Sequence, residues 1–65
     1  MELIINGETK EVTSHTVEGL LLELSLDPKK TITECNGQII PREQYSKATL
    51  NPHDHLELVQ FVGGG

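Results

Sequence analysis

The sequence predicts an α+β domain, a mixed sheet of four to five strands with one main helix packed on one face. Three observations carry that expectation. Apolar residues alternate with period two near both ends of the chain, over Met1 to Asn6 and over His55 to Val62. Between them Val17, Leu20, Leu21 and Leu24 recur at i, i+3, i+4 and i+7, one face of a helix. Asn-Gly stands at Asn6-Gly7 and again at Asn36-Gly37, a two-residue hairpin signal because both residue types tolerate positive φ. An opening hairpin, a crossover helix and later strands give strands of both directions in one sheet.

Each element follows in order. In the first strand Met1, Leu3 and Ile5 share one face, and Glu2, Ile4 and Asn6 the other. The return strand, Glu8 to Thr13, is polar apart from Val12. Thr16 is placed to cap the helix, and Glu18 sits in its first turn near the positive end of the dipole. Gly19 weakens that helix by about 1 kcal/mol relative to alanine unless close packing requires it. Asp27-Pro28 is expected to end the helix, because a residue before proline is pushed out of the α region. Thr31 to Asn36 is a β-branched strand with Thr33 and Cys35 facing inward, and Gln38 to Ile40 is a short extended piece closed by Pro41. Arg42 to Leu50 is irregular or carries one helical turn, with Tyr45 as its anchor. In the last strand Leu56 and Leu58 point one way, and Glu57, Val59 and Phe61 the other. The expected division is a folded domain over residues 1–62 and a flexible glycine tail over residues 63–65.

Composition bounds the function. The chain has 65 residues, ten acidic and five basic side chains, and a net charge of −5. This length suits one small domain and is too short for a cleft walled on all sides. Leu, Ile, Val and Phe make up 19 residues, enough for a core rather than a disordered chain. No apolar run approaches the roughly 18 residues a membrane span needs, and no secretory signal pattern opens the chain. The acidic balance argues against nucleic acid, whose phosphates need a basic face, and suits docking on a basic protein surface. The single cysteine, Cys35, cannot form an internal disulfide, which favours a reducing, cytoplasmic location.

The three final glycines are the most unusual feature. Gly63, Gly64 and Gly65 form no packed structure, and a bare Gly-Gly can enter a channel too narrow for any side chain. Such an end presents a main-chain carboxylate, a poor electrophile until it is activated, for example as an acyl adenylate. The bland alternative is an inert, frayed end.

Several runs together resemble a known family. They are Met1-Glu2-Leu3-Ile4-Ile5-Asn6-Gly7, Thr16-Val17 opening a leucine-rich helix, Asn36-Gly37-Gln38-Ile39-Ile40-Pro41-Arg42, and Leu56-Glu57-Leu58-Val59 leading to Phe61-Val62-Gly63-Gly64-Gly65. With them the whole chain resembles the ubiquitin-like β-grasp family and, more narrowly, the ThiS-type sulfur carriers of thiamine biosynthesis. The resemblance implies that Gly65 is adenylated by an E1-like enzyme using MgATP and converted to a thiocarboxylate. Sulfur would come from a donor protein and pass to thiazole synthase, with Gly63 and Gly64 recognised as the tail. It implies a carrier rather than an enzyme, with no cofactor of its own. The same fold also serves as the small subunit of molybdopterin synthase and as a protein modifier, and a plain interaction domain with an inert tail is the alternative of another class. One departure stands out. Relatives often show an Asp-Gly-Asp turn before the last strand, whereas this chain has Pro52-His53-Asp54-His55, with His53 at a glycine position that favours positive φ.

Other candidate sites are weaker. His53 and His55 share a strand face and, with His15 and Asp54, are the only set resembling metal ligands, but their spacing matches no established motif, so no metal is expected. Cys35 has Glu34 and Asn36 as neighbours, neither of which lowers a thiol pKa, so it reads as a core cysteine. Arg42 pairs with a carboxylate of this chain or of a partner, or is a satisfied surface arginine. Ile4, Val59 and Phe61 fall on the side away from the core. In a β-grasp sheet the first and last strands are neighbours, so these three are expected to form a docking patch beside the tail.

Overall fold

The computed structural model describes residues 1–61. Strands β1 (Glu2–Ile5) and β2 (Glu8–Glu11) form the opening hairpin, followed by helix α1 (Val17–Glu23). A 3₁₀ turn (Pro28–Lys30) leads into β3 (Thr31–Cys35) and β4 (Gln38–Ile40). A second 3₁₀ turn (Arg42–Gln44) precedes β5 (His55–Gln60). The five strands form one sheet in the order β2-β1-β5-β3-β4. β5 is therefore central, parallel to β1 and antiparallel to β3. The α+β reading and the mixed sheet hold.

Both Asn-Gly turns form as expected. Asn6 and Gly7 have φ of 50° and 81°, and Asn36 and Gly37 have 52° and 86°. Each asparagine also does something the turn motif does not announce. β1 donates Ile4 N–H to the Asp54 carbonyl and Asn6 N–H to the Leu56 carbonyl, and then the backbone turns away. The Asn6 carboxamide continues the ladder in its place: Oδ1 accepts from Leu58 N–H at 2.8 Å and Nδ2 donates to the Leu58 carbonyl at 3.2 Å. On the other flank the Asn36 Oδ1 accepts from His55 N–H at 3.0 Å, and its Nδ2 donates to Asp54 Oδ1 at 3.0 Å.

Leu3, Ile5, Val12, Val17, Leu20, Leu21, Tyr45, Leu50, Leu56 and Leu58 are buried in one cluster between α1 and one face of the sheet. Leu24 is only partly buried beside it. Thr16 caps the helix as expected, its hydroxyl accepting from Gly19 N–H at 3.1 Å. A Cβ on Gly19 would lie 3.2 Å from Thr16 Oγ1 and 3.3 Å from Ser14 Cβ, tighter than ordinary contact. Close approach of the Ser14 segment is thus the reason for a glycine inside a helix.

The helix ends earlier than Asp27-Pro28. Its last helical residue is Glu23, and Ser25 takes φ 63°. Ser25 N–H then donates to the Leu22 carbonyl and Leu26 N–H to the Leu21 carbonyl, the paired bonds of a Schellman cap. Glycine normally marks that position, so serine there hid the stop. Asp27-Pro28 instead starts the first 3₁₀ turn, with the Asp27 carboxylate accepting from Lys29 N–H at 2.9 Å. The last strand also closes at Gln60 rather than Val62, which with the expected glycine tail lies outside the described residues.

Thr31 and Thr33 are both fully buried and differ in their bonding. Thr31 Oγ1 donates to the Asp27 carbonyl at 2.7 Å, whereas Thr33 Oγ1 has no partner among the described residues. The register of β4 on β3 stops at Thr33, so the Thr31 carbonyl has no strand beside it, and the buried Tyr45 hydroxyl donates to it at 2.7 Å. Tyr45 is the anchor its segment was expected to supply.

Two predictions follow from this bonding. Thr31→Val should lower stability by about 1–2 kcal/mol and Thr33→Val should raise it by about 1 kcal/mol, since only the first loses a hydrogen bond and the second removes an unpaired hydroxyl. Urea unfolding checks the opposite signs; shifts of the same sign would contradict the bonding. The second concerns Glu23, whose exposed carboxylate accepts from the Ser14 hydroxyl at 2.6 Å and from the N–H groups of Thr13 and Ser14. The Ser14 hydroxyl, then the Thr13 N–H, hold its carboxyl below the usual glutamate value. A carboxyl lowered by folding stabilises above its unfolded pKa, and the gain is lost as pH falls through the folded one. Glu23→Gln should therefore unfold at a lower temperature than wild type at neutral pH, with the gap closing as pH falls below the usual glutamate range, followed by calorimetry.

Candidate functional site

α1 covers one face of the sheet and leaves the other open. Alternation puts Thr31, Thr33, Leu56 and Leu58 on the core side, so Ile32, Glu34, Glu57 and Val59 project from the open side. Ile32 lies directly across from Val59, and Glu34 lies between Glu57 on one neighbour and Ile39 on the other. Phe61 continues the line, its N–H donating to the Lys30 carbonyl at 2.9 Å. Ile32, Ile39, Val59 and Phe61 are all exposed, from 40% at Ile32 to 67% at Ile39. The open face thus carries an apolar strip with one pair of glutamates set beside it.

Of the three expected patch residues, Val59 and Phe61 belong to this strip and Ile4 does not. Ile4 stands across from His55, at the opposite end of β5, and is half-buried. Four residues of strand, about 13 Å, separate that level from Val59. The expectation that all three lie together is corrected by the register: β1 meets only the first part of β5. Ile32 and Ile39 take the place of Ile4. The alternation that turned Thr33 inward already implied an outward Ile32, and one member of the Ile39-Ile40 pair had to face out.

The histidine segment is a tight turn rather than a ligand set. His53 adopts φ 70°, as its glycine-like position required. Its N–H donates to the Glu2 carbonyl, its ring lies 3.5 Å from the Glu2 carboxylate, and the Asp54 carboxylate accepts from Asn51 N–H and from Asn36. Among the described residues no three histidine, cysteine or acidic side chains gather closely enough to hold a metal ion. Cys35 is half-buried against the core, and burial, then the charge of Asp54, push its thiol pKa up, away from nucleophilic character. Arg42 meets no carboxylate among the described residues. Its Nε donates to the Pro28 carbonyl at 3.1 Å, beside an open hollow of about 370 Å³ lined by Glu18, Asp27, Pro28, Lys29, Arg42 and Tyr45.

Gly63, Gly64 and Gly65 lie outside the described residues. The last described residue, Phe61, stands at the end of the central strand and belongs to the apolar strip.

The model of the ThiS family matches residues 3–65. The chain belongs to the ThiS family. It is 42% identical to the sulfur carrier protein ThiS of Bacillus subtilis over 50 residues, 77% of this chain and 76% of that protein. The crystal structure of the thiamine biosynthesis protein ThiS from Geobacter metallireducens superposes with a TM-score of 0.84 at 30% identity, covering all of both chains. That match establishes the ubiquitin-like β-grasp fold. The chain is also 46% identical over its whole length to part of a thiazole synthase from Paramagnetospirillum magneticum, of which it spans 20%. Among the described residues no helix is long and apolar enough to cross a membrane.

Exposed apolar side chains contribute little to the folded state and much to an interface. Phe61→Ala should leave the melting temperature nearly unchanged and weaken binding to a carrier-processing enzyme about thirtyfold or more, whereas Ile4→Ala should spare binding. Calorimetric titration distinguishes them, and equal losses for the two would move the docking face back towards β1.

Proposed function

We propose that this chain is a sulfur carrier for thiamine biosynthesis, acting as a co-substrate rather than as a catalyst. The observation that carries the reading is the ThiS family match, which runs through the terminal glycines to Gly65. The names of the Bacillus and Geobacter relatives support the pathway. In this reading the Gly65 carboxylate attacks the α-phosphate of MgATP on an E1-like enzyme, and pyrophosphate leaves. A donor protein's persulfide then attacks the acyl carbon and AMP leaves, and a second thiol reduces the resulting acyl disulfide, which frees the thiocarboxylate and leaves the donor sulfur in a disulfide with that thiol. Gly63 and Gly64 thread the channel that reaches the reacting carbon, because no side chain obstructs them.

Thiazole synthase takes the sulfur. A thiazole synthase that contains a segment matching this entire chain supports that partnership. The apolar strip of Ile32, Val59, Phe61 and Ile39 is the docking face, close to where the tail begins. A reducing, cytoplasmic setting suits a thiocarboxylate and a free Cys35. The relatives' names favour this reading over a molybdopterin synthase subunit or a protein modifier.

The chain isolated from its native cell should show an intact mass raised by one sulfur-for-oxygen exchange, located at Gly65 by fragmentation. Removal of Gly65 should leave the melting temperature unchanged and abolish ATP–pyrophosphate exchange with the adenylating enzyme. Exchange that survives the truncation would reject Gly65 as the reacting residue, and an unmodified native mass would favour an inert tail.

A further inference from the structure

The open face of the sheet carries a charge pattern that is complementary to itself. Thr31 is extended, with φ −115° and ψ 129°, so alternation sets Lys30 on the same side as Ile32 and Glu34. Lys30 and Glu34 therefore stand about 7 Å to either side of Ile32 along β3, one cationic and one anionic. On β5 the same three levels belong to Phe61, Val59 and Glu57. Phe61 bonds to the Lys30 carbonyl, Val59 lies across from Ile32, and Glu57 lies across from Glu34. Lys30, Glu34 and Glu57 form no ion pair among the described residues. Asp27, the acidic residue beside the turn of Lys30, has its carboxylate on Lys29 N–H. Between the two charged levels Ile32 and Val59 are exposed by 40% and 58%. A cation, an apolar pair and a carboxylate pair thus follow one another along the face, each without a counterpart in the described residues.

We infer that this face closes on a second copy of the chain, with Lys30 of each copy set against Glu34 and Glu57 of the other. A two-fold axis that crosses the strands at the level of Ile32 and Val59 exchanges the two ends of the pattern. It lays Ile32 and Val59 on their equivalents and brings each Lys30 over a Glu34, so one patch serves both copies. Packed sheets lie roughly 10 Å apart, a gap that a lysine and a glutamate side chain close when they reach from opposite sides. Glu57 stands one strand spacing, about 5 Å, to the side, near enough to share that ammonium group. An axis along the strands would instead place Lys30 on Lys30 and Glu34 on Glu34, so charge selects the crosswise pairing. The arriving ammonium group also offsets the cost of the directly opposed carboxylates of Glu34 and Glu57. Copies with a net charge of −5 repel at long range and the strip is small, so the pair is weak. The inference does not depend on the sulfur-carrier reading. In that reading, pairing of two copies and docking of thiazole synthase use the same strip and exclude each other.

The test is sedimentation equilibrium of the full chain from about 10 µM to about 1 mM in about 0.15 M salt, where distant charges are largely screened. Wild type should pass from one chain towards two over that range. Lys30→Glu and Glu34→Lys should each weaken pairing about tenfold or more, because every substitution acts twice across the axis. The double variant Lys30→Glu, Glu34→Lys exchanges the two charges and keeps the wild-type net charge. It should pair at least about threefold more tightly than either single variant. Lys10→Glu makes the same charge change as Lys30→Glu on the edge strand β2 and should stay within about threefold of wild type. Circular dichroism should show all four variants folded, and Lys30→Glu, at an exposed position, decides the matter should Glu34→Lys fail to fold. A wild type that remains a single chain up to about 1 mM would overturn the inference. So would an equal loss from Lys10→Glu, which would assign the effect to net charge. A double variant that pairs no better than the single ones would place the contact elsewhere and overturn it as well.

Discussion

The carboxamide of Asn6 is the contact on which the centre of the sheet depends. β5 is flanked on both sides, yet β1 turns away before it can pair with Leu58. Leu58 is a core residue, and its N–H and carbonyl face that gap. Left unpaired at the edge of the core, each would cost about 1–3 kcal/mol, a large part of what a domain this small has in total. One asparagine side chain satisfies both groups, because an amide carries a donor and an acceptor in the geometry of a peptide unit. Asn36 repeats the device on the β3 side at His55. Two turn residues thus fasten the last strand at its beginning and its middle.

With β5 held in that position, the two faces of the sheet follow from alternation alone. Leu56 and Leu58 complete the core under α1, and Glu57, Val59 and Phe61 are turned outward. A chain with one helix cannot cover both faces of a five-stranded sheet, so an exposed face is a consequence of size. What is not a consequence of size is its content. Ile32 and Val59 face each other across the ladder, while Glu34 and Glu57 are directly opposed, a like-charge pair that destabilises a sheet. Folding alone gives no reason for either arrangement, whereas a partner with an apolar centre and a basic residue beside it accounts for both.

Legibility in the sequence followed the range of the interaction. The hairpins, the helix face, the Thr16 cap and the Tyr45 anchor are local patterns, and each was readable. The helix stop was not, because Ser25 adopts a conformation that normally requires glycine while Pro28 offers a plausible breaker three residues later. Register was not readable either. Ile4 is outward-facing as the alternation implied, but its level on β5 depends on a parallel pairing between strands some fifty residues apart. That pairing is made by backbone bonds from Ile4 and Asn6 and extended by the Asn6 side chain, which in the sequence signals only a turn.

A carrier imposes different demands on a fold than an enzyme does. Its reacting group needs no pocket of its own, and in the proposed function the chemistry at Gly65 is supplied by the partner enzymes. The fold has to present the end of the chain at a defined place, next to surfaces that a partner can recognise. A last strand at an edge would be free to peel away with the tail. A central strand, paired with β3 as far as Gln60, bonded once more at Phe61 and held on the β1 side as far as Leu58, passes any pull on its end into the whole sheet. The apolar strip lies on the open face beside that end of β5. Position and grip at the end of β5 thus both derive from placing that strand in the middle, where the Asn6 carboxamide completes its bonding.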